Sequence, residues 1–298
     1  MVSTTTTPRP ESTPATLRDR ALAGIPATGR RLELAGVDTA LLEAGDGPGI
    51  VALHGPGANA SHWGRVIADL AEGHHVIVPD LPGQGASVVD GDLDADRVIG
   101  WLSELVEATC QGSPALVGNA LGGAIAARFA IEQPQRCQRL VLVDALGLRA
   151  FQPSPRFGQA LNEFVVDPNR ATHDGLWAYC AHDLPSLRER MGATWEALAA
   201  YNVDRAQEPR VQEALGALRG EFGLPAIPPA DLDRIKAPTH LIWGRHDEAT
   251  PLAVAEEAAQ RRGWTLEVIE DCADDPPVEQ PEAFARALRA AIAAERAR

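Results

Sequence analysis

The chain has 298 residues, 45% of them hydrophobic and 23% charged, which is the composition of a globular protein with a substantial interior. Its formal net charge of -14 repels nucleic acid and anionic membranes, and its apolar runs are too short and interrupted for a membrane span. These properties argue against nucleic-acid and membrane partners and leave a small molecule as the expected partner.

The cysteines and the N-terminus bear on the cellular compartment. Cys110, Cys137, Cys180 and Cys272 lie far apart and form no zinc or redox motif, so we expect reduced thiols. Residues 1–28 begin with a stretch rich in Thr, Ser and Pro that lacks the apolar core of a secretory signal, and we expect a disordered tail there. Both features favour the cytoplasm.

From about residue 30 onward, short β-rich runs alternate with helical stretches. Most of the runs are continuously apolar, as expected of strands that are covered on both faces. The pattern predicts an α/β protein with a doubly wound, mostly parallel sheet of eight strands. The predicted strands are 31–35, 37–43, 50–54, 75–79, 115–117, 140–144, 240–243 and 266–270. The predicted helices are 95–110, 121–132 and 281–298.

The alternation breaks in the middle of the chain. Between about Arg149 and Ala230, Leu, Trp, Tyr and Phe recur at helical intervals among prolines, and no strand-like run is present. This pattern predicts a helical cap over residues 151–230, inserted into a core formed by residues 29–150 and 231–298. Such an insert would cover the carboxyl ends of the strands, where sheets of this kind bind ligands.

Residues 115–123 combine an apolar strand, a sharp turn bounded by glycines and an Ala-rich helix, in the sequence ALVGNALGG. This is the pattern of a nucleophile elbow, G-x-S-x-G, in which a strained turn lifts a serine above the sheet. Gly118 and Gly122 have the expected spacing, but the central residue is Ala120. A methyl group cannot attack a carbonyl, so serine acyl-enzyme chemistry is not expected.

Two further segments match what surrounds the elbow in a known family. Residues 54–63, HGPGANASHW, resemble its oxyanion loop, and residues 80–87, DLPGQGAS, resemble its D-x-P-G-x-G-x-S turn. With the elbow they resemble the α/β-hydrolase superfamily, in particular the capped branch that contains C–C bond hydrolases, esterases, haloperoxidase-like enzymes and hydroxynitrile lyases. The resemblance covers residues 30–150 and 232–298 well, and the insert only by position.

The resemblance implies an oxyanion hole made of two backbone amides. Pro56 has no N–H, so Gly57 is the expected donor from the loop, paired with Leu121 after the elbow. His54 is expected to orient this loop rather than to transfer a proton. Asn119, beside the elbow residue, is expected to support the local backbone.

The resemblance also locates the remaining triad positions. Residues 244–251, GRHDEATP, fit the family's G-x-x-D-x-x-x-P and put Asp247 at the position of the acid. Residues 273–281, ADDPPVEQP, keep the Pro, Glu and Pro of the family's last catalytic segment and put Asp274 at the position of the histidine. An engineered trap would explain Ala120 alone but not Asp274, so we interpret both changes as native. An engineered origin of Ala120 stays open.

Asp247 and Asp274 are expected to project toward the same small region. In one interpretation, burial and the neighbouring charge raise the pKa of one carboxyl, which then serves as a general acid or base. In the other, both are solvated loop carboxylates of a disabled site. Asp144, at the end of a predicted strand, occupies an alternative acid position of the family and is expected to be structural.

Several other residues are candidates for lining the pocket. His62 either reaches the pocket or packs beside it, and both interpretations stay open, whereas Trp63 is expected to pack. Trp177 is a candidate for substrate binding from the insert, although aromatic residues at helical spacing more often pack against the core. His173 and His182 lack the spacing to a third metal ligand, so no metal site is expected.

Together these features predict an unconventional enzyme in which the oxyanion hole polarises a carbonyl of a small apolar compound while Asp274 or Asp247 moves a proton. Lyase, isomerase or cyclase chemistry fits, and no cofactor is expected. Two alternatives stay open: a ligand-binding protein that has lost the chemistry, and weak hydrolysis of esters or C–C bonds by carboxylate-activated water. Whether the chain forms a homodimer also stays open.

Overall fold

The computed structural model describes residues 16–294, and residues 1–15 and 295–298 lie outside that description. Within the described range, nine strands form one sheet. The strands are β1 (Thr28–Leu34), β2 (Val37–Ala44), β3 (Gly49–Leu53), β4 (His75–Pro79), β5 (Val88–Val89), β6 (Ala115–Asn119), β7 (Arg139–Val143), β8 (Thr239–Gly244) and β9 (Thr265–Ile269).

The strand order across the sheet is β1-β2-β4-β3-β6-β7-β8-β9, with β5 paired to β2. All neighbours from β4 through β9 run parallel, whereas β2 pairs antiparallel with β1, β4 and β5. The predicted doubly wound, mostly parallel sheet is therefore confirmed. Its parallel strands end at one common edge, which is where such sheets hold their ligands.

Helices cover both faces of the sheet and form the insert between β7 and β8. The insert consists of α5 (Pro155–Val166), α6 (Arg170–Cys180), α7 (Leu184–Met191), α8 (Ala193–Ala206), α9 (Pro209–Leu218), a π-helical turn (Arg219–Gly223) and α10 (Pro229–Leu232). The other helices are α1 (Leu17–Ala21), α2 (Ile67–Ala71), α3 (Ala95–Thr109), α4 (Leu121–Glu132), α11 (Leu252–Arg262), α12 (Pro276–Glu279) and α13 (Pro281–Ala293). None of the helices within residues 16–294 is long and apolar enough to cross a membrane.

The hydrophobic core lies on both faces of the sheet. On one face, α3, α4 and α11 contribute the buried side chains Leu102, Ile125 and Ala255. On the other face, α2 and α13 contribute Ile67 and Phe284. Because the central strands are covered on both sides, their sequences are continuous apolar runs rather than alternating ones.

Two glycines let α4 approach the sheet closely. A Cβ atom on Gly118 would lie 2.3 Å from the carbonyl oxygen of Gly122, and a Cβ atom on Gly122 would lie 2.4 Å from the carbonyl oxygen of Leu53. These distances leave no room for a side chain, so both positions require glycine. The close packing fixes the start of α4 above the ends of β3 and β6.

The N-terminal part of the chain differs from the prediction. A disordered tail over residues 1–28 is wrong for its last section, because α1 begins after Thr16. The Thr16 hydroxyl accepts a hydrogen bond from the Asp19 amide (3.1 Å), and the Asp19 carboxylate accepts one from the Thr16 amide (2.9 Å). This capping box stabilises a helix too short to show apolar periodicity. Residues 1–15 of the predicted tail lie outside the described residues.

Two further details differ from the prediction. Among the described residues the sheet has nine strands rather than eight, because β5 consists of only two residues and leaves no pattern in the sequence. The last helix ends at Ala293, and residues 295–298 of the predicted helix lie outside the described residues. Neither change alters the edge of the sheet where the candidate site lies.

Candidate active site

The turn between β6 and α4 keeps the strained geometry of an elbow although its central residue is alanine. Ala120 has φ 43° and ψ -107°, a region that residues other than glycine rarely adopt. Its amide donates to the Val143 carbonyl (2.9 Å), and its own carbonyl accepts from the Leu146 amide (3.1 Å). Neighbouring strand and loop backbone therefore hold the turn in place.

The two amides predicted for an oxyanion hole have no hydrogen-bond acceptor within the described part of the chain. Within residues 16–294, neither the Gly57 amide nor the Leu121 amide donates to a protein acceptor, as expected for a turn and for the first residue of a helix. A Cβ atom on Gly55 would lie 2.6 Å from Asn119 Oδ1 and 3.6 Å from the Ala120 Cβ. The loop that carries Gly57 therefore runs directly beside the elbow.

His54 lies beneath this loop, fully buried. Its Nε2 accepts from the Leu81 amide (2.9 Å), so Nδ1 carries the hydrogen and donates to the Gly55 carbonyl (2.8 Å). Burial lowers the pKa of His54 to about 4. The ring is therefore neutral at pH 7, and its two hydrogen bonds connect the loop at Gly55 to Leu81, which follows β4.

Three carboxyl groups come together at the carboxyl edge of the sheet. Asp247 Oδ1 accepts from the amides of Ala249 (2.7 Å) and Thr250 (2.8 Å), and Asp144 Oδ1 accepts from the Gly244 amide (2.8 Å). In the described part of the chain, Oδ2 of each is buried without a partner. Burial raises the pKa of Asp247 to about 8, and burial with the nearby Asp247 charge raises the pKa of Asp144 well above its usual value.

Asp274 is the third member of the group, and it borders the cavity described below together with Asp144. Burial, followed by repulsion from Asp247 and Asp275, raises the pKa of Asp274 well above its usual value. Asn119 Nδ2 donates to the Asp274 carbonyl (3.0 Å) and ties this segment to the elbow. Because repulsion falls when a carboxyl is protonated, the group favours retaining protons at neutral pH.

Cys180 also borders the cavity, at the end of α6. Burial and the charges of Asp274 and Asp275 raise the pKa of its thiol well above the usual value. The thiolate, not the thiol, is the nucleophilic form of cysteine. Cys180 is therefore a poor substitute for a serine nucleophile.

His62 reaches the same cavity and contacts a carboxylate. Its Nδ1 lies 2.8 Å from Asp275 Oδ2, and its ring centroid lies 5.9 Å from that of Trp177. Both members of the His62–Asp275 pair are buried against protein and border the cavity. The sequence left the position of His62 open and assigned no role to Asp275.

The cavity has a volume of about 140 Å³ and is lined by polar groups on the sheet side and mostly apolar ones on the insert side. Several apolar lining residues that the sequence analysis missed lie at helical spacing on α5 or in the segment before it. They include Phe151, Phe157, Leu161 and Phe164. The spacing of 157, 161 and 164 is a signal that could have identified one face of an amphipathic helix. Asn202 on α8 also lines the cavity, and no local pattern marked it.

Some aromatic residues of the insert line the cavity, and others are buried in the protein interior. Trp177 borders the cavity and packs edge-on against Trp195, with 4.9 Å between ring centroids. Trp195 and Tyr201 are buried in the insert. Trp63 is buried as well and contacts Phe284, at 5.8 Å between centroids.

One group of side chains has ligand types suited to a metal ion. His182, His246 and Asp271 each offer an atom within 4.8 Å of the others, and all three are exposed. The two imidazole rings stack with 4.1 Å between centroids at 19°. Imidazole binds metals through lone pairs in the ring plane, and in stacked rings these run side by side instead of converging. We assign no metal to this group.

The sequence matches the alpha/beta hydrolase family over residues 50–287. The chain therefore belongs to this family. Its fold agrees, since the 2-hydroxy-6-oxo-6-phenylhexa-2,4-dienoate hydrolase from Rhodococcus sp. strain RHA1 superposes with a TM-score of 0.77 at 26% identity, over 90% of this chain and 99% of that one.

Curated relatives are hydrolases by name. The chain is 32% identical over 224 residues to 2-hydroxy-6-oxo-6-phenylhexa-2,4-dienoate hydrolase from Comamonas testosteroni, covering 70% of this chain and 75% of the relative. It is 28% identical over 283 residues to 2-hydroxymuconate semialdehyde hydrolase from Pseudomonas sp. strain CF600, covering 87% of this chain and 92% of the relative.

Proposed function

We propose that this chain is a non-hydrolytic enzyme of lyase, isomerase or cyclase type, which acts on a small apolar carbonyl compound by proton transfer without a covalent intermediate. The observation that carries the proposal is the group of carboxyls Asp144, Asp247 and Asp274. Asp144 and Asp274 border the cavity that also contains Ala120, and Asp247 is buried close enough for its charge to raise the pKa of both. A group that holds protons at neutral pH is a proton source. An alanine at the elbow offers no nucleophile.

The proposed chemistry uses these groups together with the two backbone amides. A substrate carbonyl oxygen would accept hydrogen bonds from the Gly57 and Leu121 amides, which stabilise negative charge as it develops on the oxygen. Asp274 donates its proton to that oxygen while a base removes a proton from the adjacent carbon, which gives an enol. Reversing the two transfers returns a proton to the same or to a conjugated carbon. The apolar side chains of the insert bind the remainder of the substrate and exclude water.

Hydrogen exchange at carbon tests this proposal without knowledge of the natural substrate. We expect the protein in D₂O to speed deuterium incorporation next to the carbonyl of 1-phenylpropan-2-one, measured by ¹H NMR. Asp274→Asn should lower the rate by about 100-fold, since general acid–base catalysis contributes about 10²–10⁴-fold and asparagine donates a hydrogen bond but no proton. Asp271→Asn, on the same loop and exposed, is the matched control and should leave the rate unchanged.

Two results would contradict the proposal. A wild-type protein that exchanges no faster than buffer is a binding protein toward this probe rather than a proton-transfer enzyme. If the Asp274→Asn variant exchanges at the wild-type rate, Asp274 takes no part in the proton transfer.

Hydrolysis of a C–C bond is a second candidate, favoured by the names of the relatives. The compound 2-hydroxy-6-oxo-6-phenylhexa-2,4-dienoate separates the two. Hydrolysis next to its phenyl ketone would release benzoate, whereas proton transfer alone would consume the dienol and release none. We expect loss of the dienol absorbance without benzoate, and stoichiometric benzoate would support hydrolysis.

A further inference from the structure

We propose that His62, held by Asp275, is the general base of this cavity. The inference rests on the proposed function, because it assigns the group that accepts the proton from carbon. Asp275 and Asn202 then act as positioning residues that fix which nitrogen of His62 carries a hydrogen.

The turn that carries His62 is rigidly held. His62 lies in a 3₁₀ turn, Ala60–Trp63, which begins at Asn59. The Ala60 amide donates to Asp80 Oδ1 (2.7 Å), a carboxylate that also accepts from the Ala86 amide through Oδ2 (2.9 Å). A base on such a turn keeps its position when the substrate enters, as catalysis requires.

A chain of hydrogen bonds fixes the tautomer of His62. The Ser61 amide can only donate, so Asn59 Oδ1, at 3.0 Å, accepts and the Asn59 Nδ2 group donates to Asn202 Oδ1 (3.0 Å). Asn202 therefore presents its Nδ2 group to His62 Nε2, at 3.3 Å. Nε2 therefore accepts this hydrogen bond with its lone pair, and Nδ1 carries the hydrogen.

That hydrogen is donated to Asp275 Oδ2, 2.8 Å away. A neutral imidazole with a carboxylate on Nδ1 and a lone pair on Nε2 is the arrangement of a histidine base in catalytic triads. The 3.3 Å contact from Asn202 is long for a hydrogen bond, so a substrate displaces it at little cost. The contact marks the position where the proton to be abstracted would lie.

The other titratable groups around His62 leave it as the proton acceptor. Burial and the neighbouring carboxylates raise the pKa of Asp274 and favour its protonated form. His173 also lines the cavity, but burial lowers its pKa to about 4, as it does for His54 beneath the loop. Both are therefore uncharged and weakly basic at pH 7. When His62 takes up a proton, the Asp275 carboxylate balances the positive charge.

Nε2 of His62 takes the proton from the carbon next to the carbonyl, and the C–H electron pair becomes the new C=C bond. The carbonyl π electrons move to the oxygen, which receives the proton of Asp274. The resulting imidazolium returns its proton to carbon in the second half of the reaction, and Asp274 recovers its own from the enol.

The exchange of 1-phenylpropan-2-one in D₂O tests His62 directly. We expect His62→Ala to lower the enzyme-catalysed rate by about 100-fold or more, and added imidazole to restore part of it, because a free base can occupy the vacated space. His75→Ala, at the amino end of β4 and away from the cavity edge, is the control and should keep the wild-type rate. Full activity of His62→Ala would overturn the inference.

The tautomer of His62 gives a second test that does not depend on turnover. In ¹⁵N NMR of the histidine-labelled protein, we expect a hydrogen on Nδ1 and none on Nε2. Asp275→Asn should lower the exchange rate and weaken this preference, while circular dichroism shows an unchanged fold. A hydrogen on Nε2 of the wild-type protein would overturn the inference.

The two proposals fail differently. If the wild-type protein exchanges the probe and His62→Ala does so equally well, the proposed function survives and the role of His62 does not. If the wild-type protein shows the expected tautomer but no exchange above buffer, the proposed function is contradicted and His62 with it.

Discussion

Asp274 and Asp275 have the same side chain and are adjacent in the chain, yet they face opposite surroundings. Asp274 is removed from solvent and lies among other carboxyls, and both conditions favour its protonated form over the smaller, opposite effect of the hydrogen bond from the Cys180 thiol. Asp275 instead accepts a hydrogen bond from His62. The neighbours of a carboxyl group, rather than its residue type, therefore decide whether it serves as a proton donor or holds a histidine base in position.

The acid side of the cavity (Asp144, Asp247 and Asp274) and its base side (His62, Asp275 and Asn202) also differ in the contacts that hold them in place. On the acid side, backbone amides bind one oxygen each of Asp144 and Asp247, and the second oxygen of each has no partner among the described residues. The base side is fixed by side chains from the core and from α8 of the insert. A substrate between them would therefore contact Asp274, which lies beside carboxyls held by backbone amides, and a base whose tautomer depends on the insert.

The largest expected effect comes from replacing Asp274, the proposed acid, together with Ala120. Ala120→Ser combined with Asp274→His supplies the nucleophile and base of the family's usual triad, with Asp247 in place as the acid. We expect the double variant to hydrolyse 4-nitrophenyl acetate about 100-fold faster than either single variant, because triad members act as a unit. The release of 4-nitrophenolate measures this.

The single variants are the matched controls for that experiment, and circular dichroism reports whether the fold is kept. A double variant as inert as the single ones would contradict the assignment of Ala120 to the elbow.

A smaller expected effect concerns the stability of the folded protein and tests whether Asp247 is protonated. Burial raises the pKa of Asp247 to about 8 in the folded protein, above its value in the unfolded chain. Its contribution to stability is therefore fully present at low pH and is lost as the pH rises toward the folded pKa. Asp247→Asn keeps an acceptor for the amides of Ala249 and Thr250 and removes this loss.

We expect the free energy of unfolding of Asp247→Asn, relative to wild type, to rise by about 2 kcal/mol between about pH 6 and about pH 8. Urea denaturation at each pH measures it. Asp271→Asn should show no such trend, and a pH-independent difference for Asp247→Asn would contradict the buried, protonated state of this group.

The fold and half of the site follow from local patterns in the sequence. The elbow glycines, the loop around Gly57 and the spacing around Asp247 and Asp274 each occupy a few consecutive residues, so their strand-end positions can be predicted. Their chemical roles stay predictions. A short element such as β5, with two residues, leaves no such trace.

The base side could not be predicted because its contacts are not local. His62 and Asp275 are 213 residues apart, and His62 and Asn202 are 140 residues apart. No periodicity or motif reports a hydrogen bond between such distant segments, because only the tertiary fold brings them together. The raised pKa of Asp274 likewise depends on burial and on Asp247, which the sequence does not specify.

The pH dependence of deuterium exchange tests most directly whether Asp274 supplies a proton and His62 accepts one in the same cavity. For wild type we predict a rate that falls at high pH, where Asp274 releases its proton. Asp274→Asn should lose this fall, because asparagine has no proton to release, and His62→Ala should keep it at a rate about 100-fold lower. The same fall in Asp274→Asn, or an unchanged rate in His62→Ala, would contradict the account.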